Sequence, residues 1–257
     1  MWDTLILNPM INALLWIYAL LSQNFGLAII MFTIVIRLVT VPLTLQQQRS
    51  QQKMQELQQS KRWQDIQKKH KDDKKALQEE QLKLYREVGF NPMSGCLPTV
   101  IQLPIIFGLY GAITRALAST PGQLLGLSVH LYPRTPDLLI PLNSQFLWMD
   151  LAKPERLYLP FLPGTIGIPV LTILVVISTY MQSKLTTPAS PNAQGGQMSQ
   201  MMTLYMPLLL GYFSFTFPAG LALYFVTSNV LAIVQYAATG KIDWHNMFKF
   251  SLAAPRK

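Results

Sequence analysis

Apolar residues in this chain do not alternate with polar ones; they come in long, nearly unbroken runs. Residues 25–45 and 97–117 each give 21 positions with a single charge, Arg37 in the first and Arg115 near the end of the second. Residues 161–181, 201–217 and 219–238 carry no charge. A helix that crosses a hydrocarbon core of ~30 Å needs about 20 apolar residues, with ~17 as the lower edge. Five spans are therefore predicted, the fourth being the shortest. Pro218 and Gly220 interrupt the last two runs and read as a tight turn between antiparallel helices. The runs are about twice the length of a barrel strand and lack its alternation. The predicted fold class is an all-α polytopic membrane protein.

The stretches between the runs differ in kind. Residues 46–94 are rich in Gln, Lys, Glu and Leu, and residues 46–87 contain neither Gly nor Pro, so helix is favoured. Met54 and Leu57, then Leu77, Leu84 and Val88, recur at helical spacing around a polar break at His70–Lys75. An antiparallel helical hairpin with a docking role is the natural reading, against a plain charged linker, because structureless loops of that length are uncommon. Thr186 to Gly196 reads as a flexible loop. Residues 1–24 contain an apolar stretch broken by Asn8, Pro9 and Asn12. A cleavable signal would want a basic n-region and a small-residue cleavage site, and neither is expected here. A sixth span is possible; an amphipathic helix in the outer interface, with Trp16 and Tyr18 at headgroup depth, is preferred.

Composition supports the membrane reading. Half of the 257 residues are hydrophobic and 13% are charged, about half the usual charge of a soluble domain; mean hydropathy is +0.26. Basic residues set the orientation. Residues 46–94 hold 11 of the 21 Lys and Arg residues against 7 of the 12 acids. Residues 183–200 carry Lys184 alone, and residues 239–257 carry four basic residues against Asp243. Residues 118–160 balance Arg134, Lys153 and Arg156 with Asp137, Asp150 and Glu155. The hairpin, the 183–200 loop and the 239–257 tail are thus placed in the cytoplasm. Residues 118–160 and the N-terminus are placed outside, as an odd number of spans (25–45, 95–117, 161–182, 201–217 and 218–238) requires.

Candidate chemistry is sparse. The five runs contain no Asp, Glu, His or Cys, which removes Ser–His proteolysis, metal hydrolysis and a carboxylate relay inside the membrane. No nucleotide fingerprint occurs. Neither an enzyme nor a cofactor is expected. What stands out is Arg37, two residues past the centre of its run, or about 3 Å from the middle at ~1.5 Å per residue. A guanidinium there costs at least ~2.5–3.5 kcal/mol. Thr33, Arg37, Thr40 and Thr44 are spaced to form one polar stripe. Gln102, Gln182, Ser228 and Gln235 add polar groups on other spans. The plain alternative is a snorkelling Arg with Thr, Ser and Gln as interhelical glue. Glue needs no permanent charge, and a water-filled cavity fits better. A small channel or transporter with an anion site at Arg37 is the competing function, although no inverted repeat is visible.

Three segments carry a family resemblance. Gly26-Leu-Ala-Ile-Ile with Ile36-Arg37-Leu and Val41-Pro42-Leu43-Thr44 resembles the first core span of the YidC/Oxa/Alb membrane protein insertases. Asn91-Pro92-Met93-Ser94-Gly95-Cys96-Leu97-Pro98, leading into Gln102-Leu-Pro104-Ile-Ile-Phe107, is similar to the entry to their second. Phe217-Pro218-Ala219-Gly220-Leu221 with Leu223-Tyr224 and Ser228-Asn229 is similar to their last hairpin. The resemblance implies a five-helix core in the bacterial inner membrane, with a groove open to cytoplasm and lipid and closed outside. It implies Arg37 as the basic groove residue and Thr33 as the polar position one turn before it. Tyr224 is the matching aromatic of the last span, with Phe225 where a second, often Tyr, stands. The implied partners are nascent membrane proteins, the bilayer, and the ribosome and Sec translocon through the hairpin and basic tail; no nucleic-acid sequence is read. A client's polar tail would enter at Arg37 while its apolar segment slides over the third and fifth helices. Met198, Met201, Met202 and Met206 are either an adaptable client surface or ordinary packing.

Overall fold

The computed structural model describes residues 1–70, 73–89, 97–117, 126–127, 130–132, 142–157, 167–186 and 193–238. The tail 239–257, the motif residues 91–96, most of segment 118–160, the start of the third run and the side chains of Met198, Met201 and Met202 lie outside that description. A π-helical turn, Asp3–Leu7, runs into helix α1, Asn8–Leu20. Ser22 and Gln23 then adopt positive φ and reverse the chain. Asn24 caps the next helix, its side chain accepting from Leu27 N at 3.0 Å, which satisfies one of the orphan donors of a helix start.

Helix α2, Phe25–Gln59, is 35 residues long. The first run and the start of the polar segment are one continuous rod, so the change of composition after Leu45 is not a change of structure: Gln, Lys and Glu propagate a helix as well as apolar residues do. The break comes at Ser60, whose backbone is extended and whose hydroxyl caps helix α3, Lys61–Lys69. Asp73 caps helix α4, Lys74–Glu87. The start of α3 lies beside the end of α4: the Trp63 and Tyr85 rings are 5.6 Å apart, and Arg62 meets Glu87 at 2.9 Å. That pair is exposed and adds little stability; the buried Trp63, Leu77 and Leu84 supply the packing.

Helix α5, Leu97–Ala116, covers the second run. The third run is corrected. Helix α6 is Val170–Thr186, beginning nine residues later than the apolar run, while Leu157 and Ile168 pair as an isolated bridge. Gly167 and Pro169, immediately before it, account for this start, because apolar composition cannot make a helix through Pro and Gly. The fourth is corrected in the opposite sense. Helix α7, Ala193–Thr216, starts eight residues earlier than the run at 201–217, inside the stretch read as loop, and reaches 24 residues. Helix α8, Ala219–Ala238, follows after the turn at Pro218. Among the described residues, three helices are long and apolar enough to cross a membrane: Asp3–Leu20, Phe25–Gln59 and Ala219–Ala238; Val170–Leu185 is apolar but shorter.

The N-terminal helix departs from the amphipathic expectation. Leu7, Ile11, Leu14, Leu15 and Tyr18 are buried, yet the opposite side shows Leu5, Trp16 and Leu20, so it has no polar face. It lies against α5, where a Cβ on Gly108 would come within 2.5 Å of Met10 Sδ and one on Gly111 within 2.9 Å of Leu7. Its interrupting asparagines bind the 118–160 segment. Asn12 donates to His130 O at 2.9 Å and accepts from Tyr132 N at 2.9 Å, and Asn8 Oδ1 lies 2.7 Å from His130 Nδ1.

A buried apolar cluster closes one end of the bundle. Phe25, Ala28 and Ile29 of α2, Leu109, Ala112 and Ile113 of α5, and Ala219 to Phe225 of α8 form one buried cluster. A Cβ on Gly220 would sit 3.1 Å from Ile29 and 3.2 Å from Ile113, so three helices converge on a residue without a side chain. A two-stranded hairpin, β1 (Gln145–Phe146) and β2 (Met149–Asp150), caps this end. Gly220 N donates to Leu151 O at 3.1 Å and Ala219 N to Lys153 O at 2.8 Å. The first backbone donors of α8 are thereby satisfied by the cap.

Candidate functional site

Arg37 lies twelve residues along α2 from the capped end, or about 18 Å at ~1.5 Å per residue. There the apolar packing gives way to polar contacts. The guanidinium donates to Ser228 Oγ of α8 twice, from Nε at 3.1 Å and from Nη2 at 2.6 Å. None of the ion pairs among the described residues involves Arg37. A single hydroxyl thus holds one edge of the fork, while a guanidinium carries five N–H donors. The outer edge, Nη1 with Nη2, is the geometry that a carboxylate takes in bidentate fashion.

α8 gathers the other positions. Tyr224 is one turn before Ser228 and accepts a hydrogen bond from Gln102 of α5. Gln235, seven residues after Ser228, donates to Thr44 Oγ1 of α2 at 2.7 Å. Tyr224, Ser228 and Gln235 share a face by helical spacing, so the face aimed at α2 and α5 is polar from mid-helix to its C-terminal end. Thr33 is fully buried and bonds Ile29 O of its own helix at 2.6 Å. Thr40 bonds Ile36 O at 2.9 Å, and Thr44 bonds Val41 O at 2.9 Å. These three hydroxyls are spent on their own backbone, and only Thr44 also accepts across helices. Gln182 is half-buried near the C-terminal end of α6.

The polar contact that sequence reasoning missed on α6 lies one turn earlier. Asn229 Nδ2 donates to Ser178 Oγ at 3.0 Å and Thr179 Oγ1 at 2.8 Å, all three residues being buried. A Ser-Thr pair inside a charge-free run was the available signal. The client path expected over the third and fifth helices falls on α6 and α8. α8 buries ten of its residues and shows only Val230 and Val234 as large exposed apolar side chains. Exposed apolar faces also occur on α5 (Leu103, Phe107, Tyr110), α6 (Ile173, Leu174, Ile177) and α7 (Leu204, Tyr205, Leu208, Leu209, Tyr212). The ring of Tyr110 on α5 lies 5.1 Å from that of Phe217, the residue after α7.

An apolar helical bundle, with Arg37 among hydroxyls and amides at mid-helix, defines an integral membrane protein. The model of the family described as 60Kd inner membrane protein matches residues 16–244, and the chain belongs to that family, which is that of the YidC-type insertases. It is 34% identical to the membrane protein insertase MisCA of Bacillus subtilis over 238 residues, 91% of this chain and 77% of that one. It is 35% identical to the membrane protein insertase YidC of Syntrophobacter fumaroxidans over 236 residues, 91% of this chain and 37% of that one. A crystal structure of an active YidC insertase with its first transmembrane domain resolved superposes with a TM-score of 0.53 at 28% identity, covering 88% of this chain and 44% of the other. The chain therefore spans less than half the length of the Syntrophobacter and crystallised relatives.

Proposed function

We propose that this chain inserts nascent membrane proteins into the lipid bilayer through a hydrated, positively charged groove lined by Arg37, Thr33, Thr40, Thr44, Gln102, Gln182, Tyr224, Ser228 and Gln235. The observation that carries the proposal is Arg37, a cation at mid-helix whose cross-helix hydrogen bonds go to a neutral hydroxyl. A permanent charge with no counter-charge is costly in hydrocarbon and is kept where water and a transient anionic partner reach it. In this proposal the bundle has five spans, α2 and α5 to α8, with α1 at the outer surface. The capped end faces outward, and the long polar end of α2 with α3 and α4 projects into the cytoplasm. A polar client tail enters from the cytoplasm and stops below the apolar seal. The distance it must cross through hydrocarbon is then shorter. The client's apolar segment slides into lipid over α6 and α8, the third and fifth core helices, and its burial drives the step without ATP. The ribosome and the Sec translocon are the partners proposed for the cytoplasmic helices and the basic tail.

Magnitudes favour an electrostatic role. Two opposite charges 4 Å apart attract by about 1 kcal/mol in water and about 4 kcal/mol at an effective dielectric of 20. The difference of about 3 kcal/mol bounds what Arg37 offers an acidic tail over bulk water. The test is insertion of paired clients differing only in tail charge, at matched insertase levels in proteoliposomes. Arg37→Lys should keep much of the activity, since the charge remains although the fork is lost. Arg37→Ala should lose most insertion of the acidic-tailed client and less of the uncharged one, and Arg37→Glu should be worst. Equal loss for both clients, or no loss, would refute attraction to the tail.

A further inference from the structure

The cap, residues 142–157, has an apolar extremity. Gln145 pairs with Asp150 and Phe146 with Met149, so Leu147 and Trp148 form the turn. Leu147 is 73% exposed and sits at φ 56°, a left-handed conformation favoured for Gly or Asn and uncommon for Leu. In water that residue would combine backbone strain with apolar exposure. Trp148 is 47% exposed, but its one polar atom points inward, Nε1 donating to Glu155 Oε1 at 2.9 Å. What it shows on the surface is hydrocarbon.

The base of the hairpin fixes the depth of this tip. Phe146 lies over Gly26, so close that a Cβ there would fall 2.2 Å from the ring. Leu151 and Lys153 hold the first residues of α8. The hairpin is therefore level with the ends of two apolar helices, where hydrocarbon gives way to headgroups. Next to Glu155, the Arg156 guanidinium rests over the Phe215 ring at 5.4 Å from its centroid. Phe215 lies near the end of α7 and is itself exposed.

The geometry points to the cap as a lipid anchor: Leu147 and Trp148 enter the headgroup–acyl boundary of the adjoining leaflet, and Arg156 binds a phospholipid phosphate. Indole rings favour that depth, and a guanidinium is suited to phosphate. The occupant is a phospholipid because Arg156 of the cap rests on Phe215 at the end of the exposed apolar face of α7, and because an apolar pair and a cation on one cap match an amphipathic molecule with an anionic head. Such an anchor holds the cap down on α2 and α8. It rests on membrane embedding alone and not on the groove at Arg37.

The test uses spin labels on Leu147→Cys, Lys153→Cys and Leu209→Cys, each in a Cys96→Ser chain reconstituted into phosphatidylcholine–phosphatidylglycerol vesicles. Collisions are measured with oxygen, which concentrates in hydrocarbon, and with a water-soluble nickel chelate. The label at 147 should favour oxygen, as the one at 209 on the exposed face of α7 should; the label at 153, where the side chain is 77% exposed, should favour nickel. A label at 147 that meets nickel as freely as the one at 153 overturns the anchor. A label at 147 that neither reagent reaches also overturns it, since a protein surface would then cover the tip. Nickel access at 209 would instead refute membrane embedding, a separate failure. For Arg156, native mass spectrometry of the extracted protein with added phosphatidylglycerol should show less retained lipid in Arg156→Gln than in Arg156→Lys. Equal retention in Arg156→Gln and the unaltered chain overturns the phosphate contact.

Discussion

Glu155 is a carboxylate with two distinct donors and almost no water. It is 7% exposed; Oε1 takes the indole N–H of Trp148 at 2.9 Å, and Oε2 takes the backbone N–H of Leu171 at 3.0 Å. Leu171 is the second residue of α6, so the carboxylate caps that helix and ties it to the hairpin. Glu155→Ala leaves the Leu171 donor without its cap, about 1 kcal/mol, and removes a negative charge from a helix N-terminus, about 0.3–1 kcal/mol. A charge-assisted bond to the indole adds about 1.5–3 kcal/mol. Water at the half-exposed Trp148, and relief from burying a carboxylate, return part of this. About 2 kcal/mol of net destabilisation is the working figure. Glu155→Gln keeps the size but offers one acceptor and one NH2 to two donors, leaving an N–H facing an N–H. It should cost about 1–3 kcal/mol, close to the Ala variant despite its shape. In a Trp148→Phe chain that conflict disappears, and Glu155→Gln should cost under about 1 kcal/mol. The assay is SDS-titrated unfolding in mixed micelles followed by far-UV circular dichroism, for all members of the cycle. If Glu155→Gln lies within about 0.5 kcal/mol of the unaltered chain, as a surface substitution would, the carboxylate is not serving both donors.

Other outcomes are expected from the same coordinates. Asn229→Leu removes two buried hydrogen bonds between α8 and α6, and should cost about 1–2 kcal/mol on the scale of interhelical bonds in membranes, read by the same SDS titration; a neutral result would mean that Ser178 and Thr179 bond equally well without it. Gly26→Val drives a side chain into the Phe146 ring and should release the hairpin, seen as protease cleavage near residue 147, while a second change, Phe146→Ala, should restore resistance. Burial raises the Asp150 carboxyl, but hydrogen bonds from Ser144, Ala152 N and Lys153 outweigh it, and the group titrates below the usual 3.8. Its folded value being the lower one, the carboxylate stabilises the cap above the unfolded value and that gain is lost as pH falls through the folded one. Protease resistance of the cap should thus hold from neutral to about pH 5 and decline below about pH 4, and Asp150→Asn should remove the acid limb.

The membrane class, the helical content and Arg37 as the residue to test were legible in sequence because each rests on a local quantity. Run length against bilayer thickness identifies spans, and one guanidinium in 21 apolar positions is conspicuous without any partner being known. The family followed from three short motifs, at Arg37, Gln102 and Tyr224, for the same reason. Helix ends were less legible. Apolar composition marks what lies in hydrocarbon, whereas Pro, Gly and capping residues mark where a helix stops. Hence α6 began after Pro169, α2 continued past Leu45 to Ser60, and α7 reached back into an apparent loop. Only the tertiary structure decided which polar groups meet. Thr33, Thr40 and Thr44 share a stripe with Arg37, but each hydroxyl bonds its own helix, and Ser228 holds the guanidinium from a residue 191 positions away. Asn8 and Asn12 looked like flaws in an apolar stretch until His130 and Tyr132 came to them. Hydrophobic periodicity is written along one helix, whereas a hydrogen bond between helices depends on how two helices pack, and no single segment carries that information.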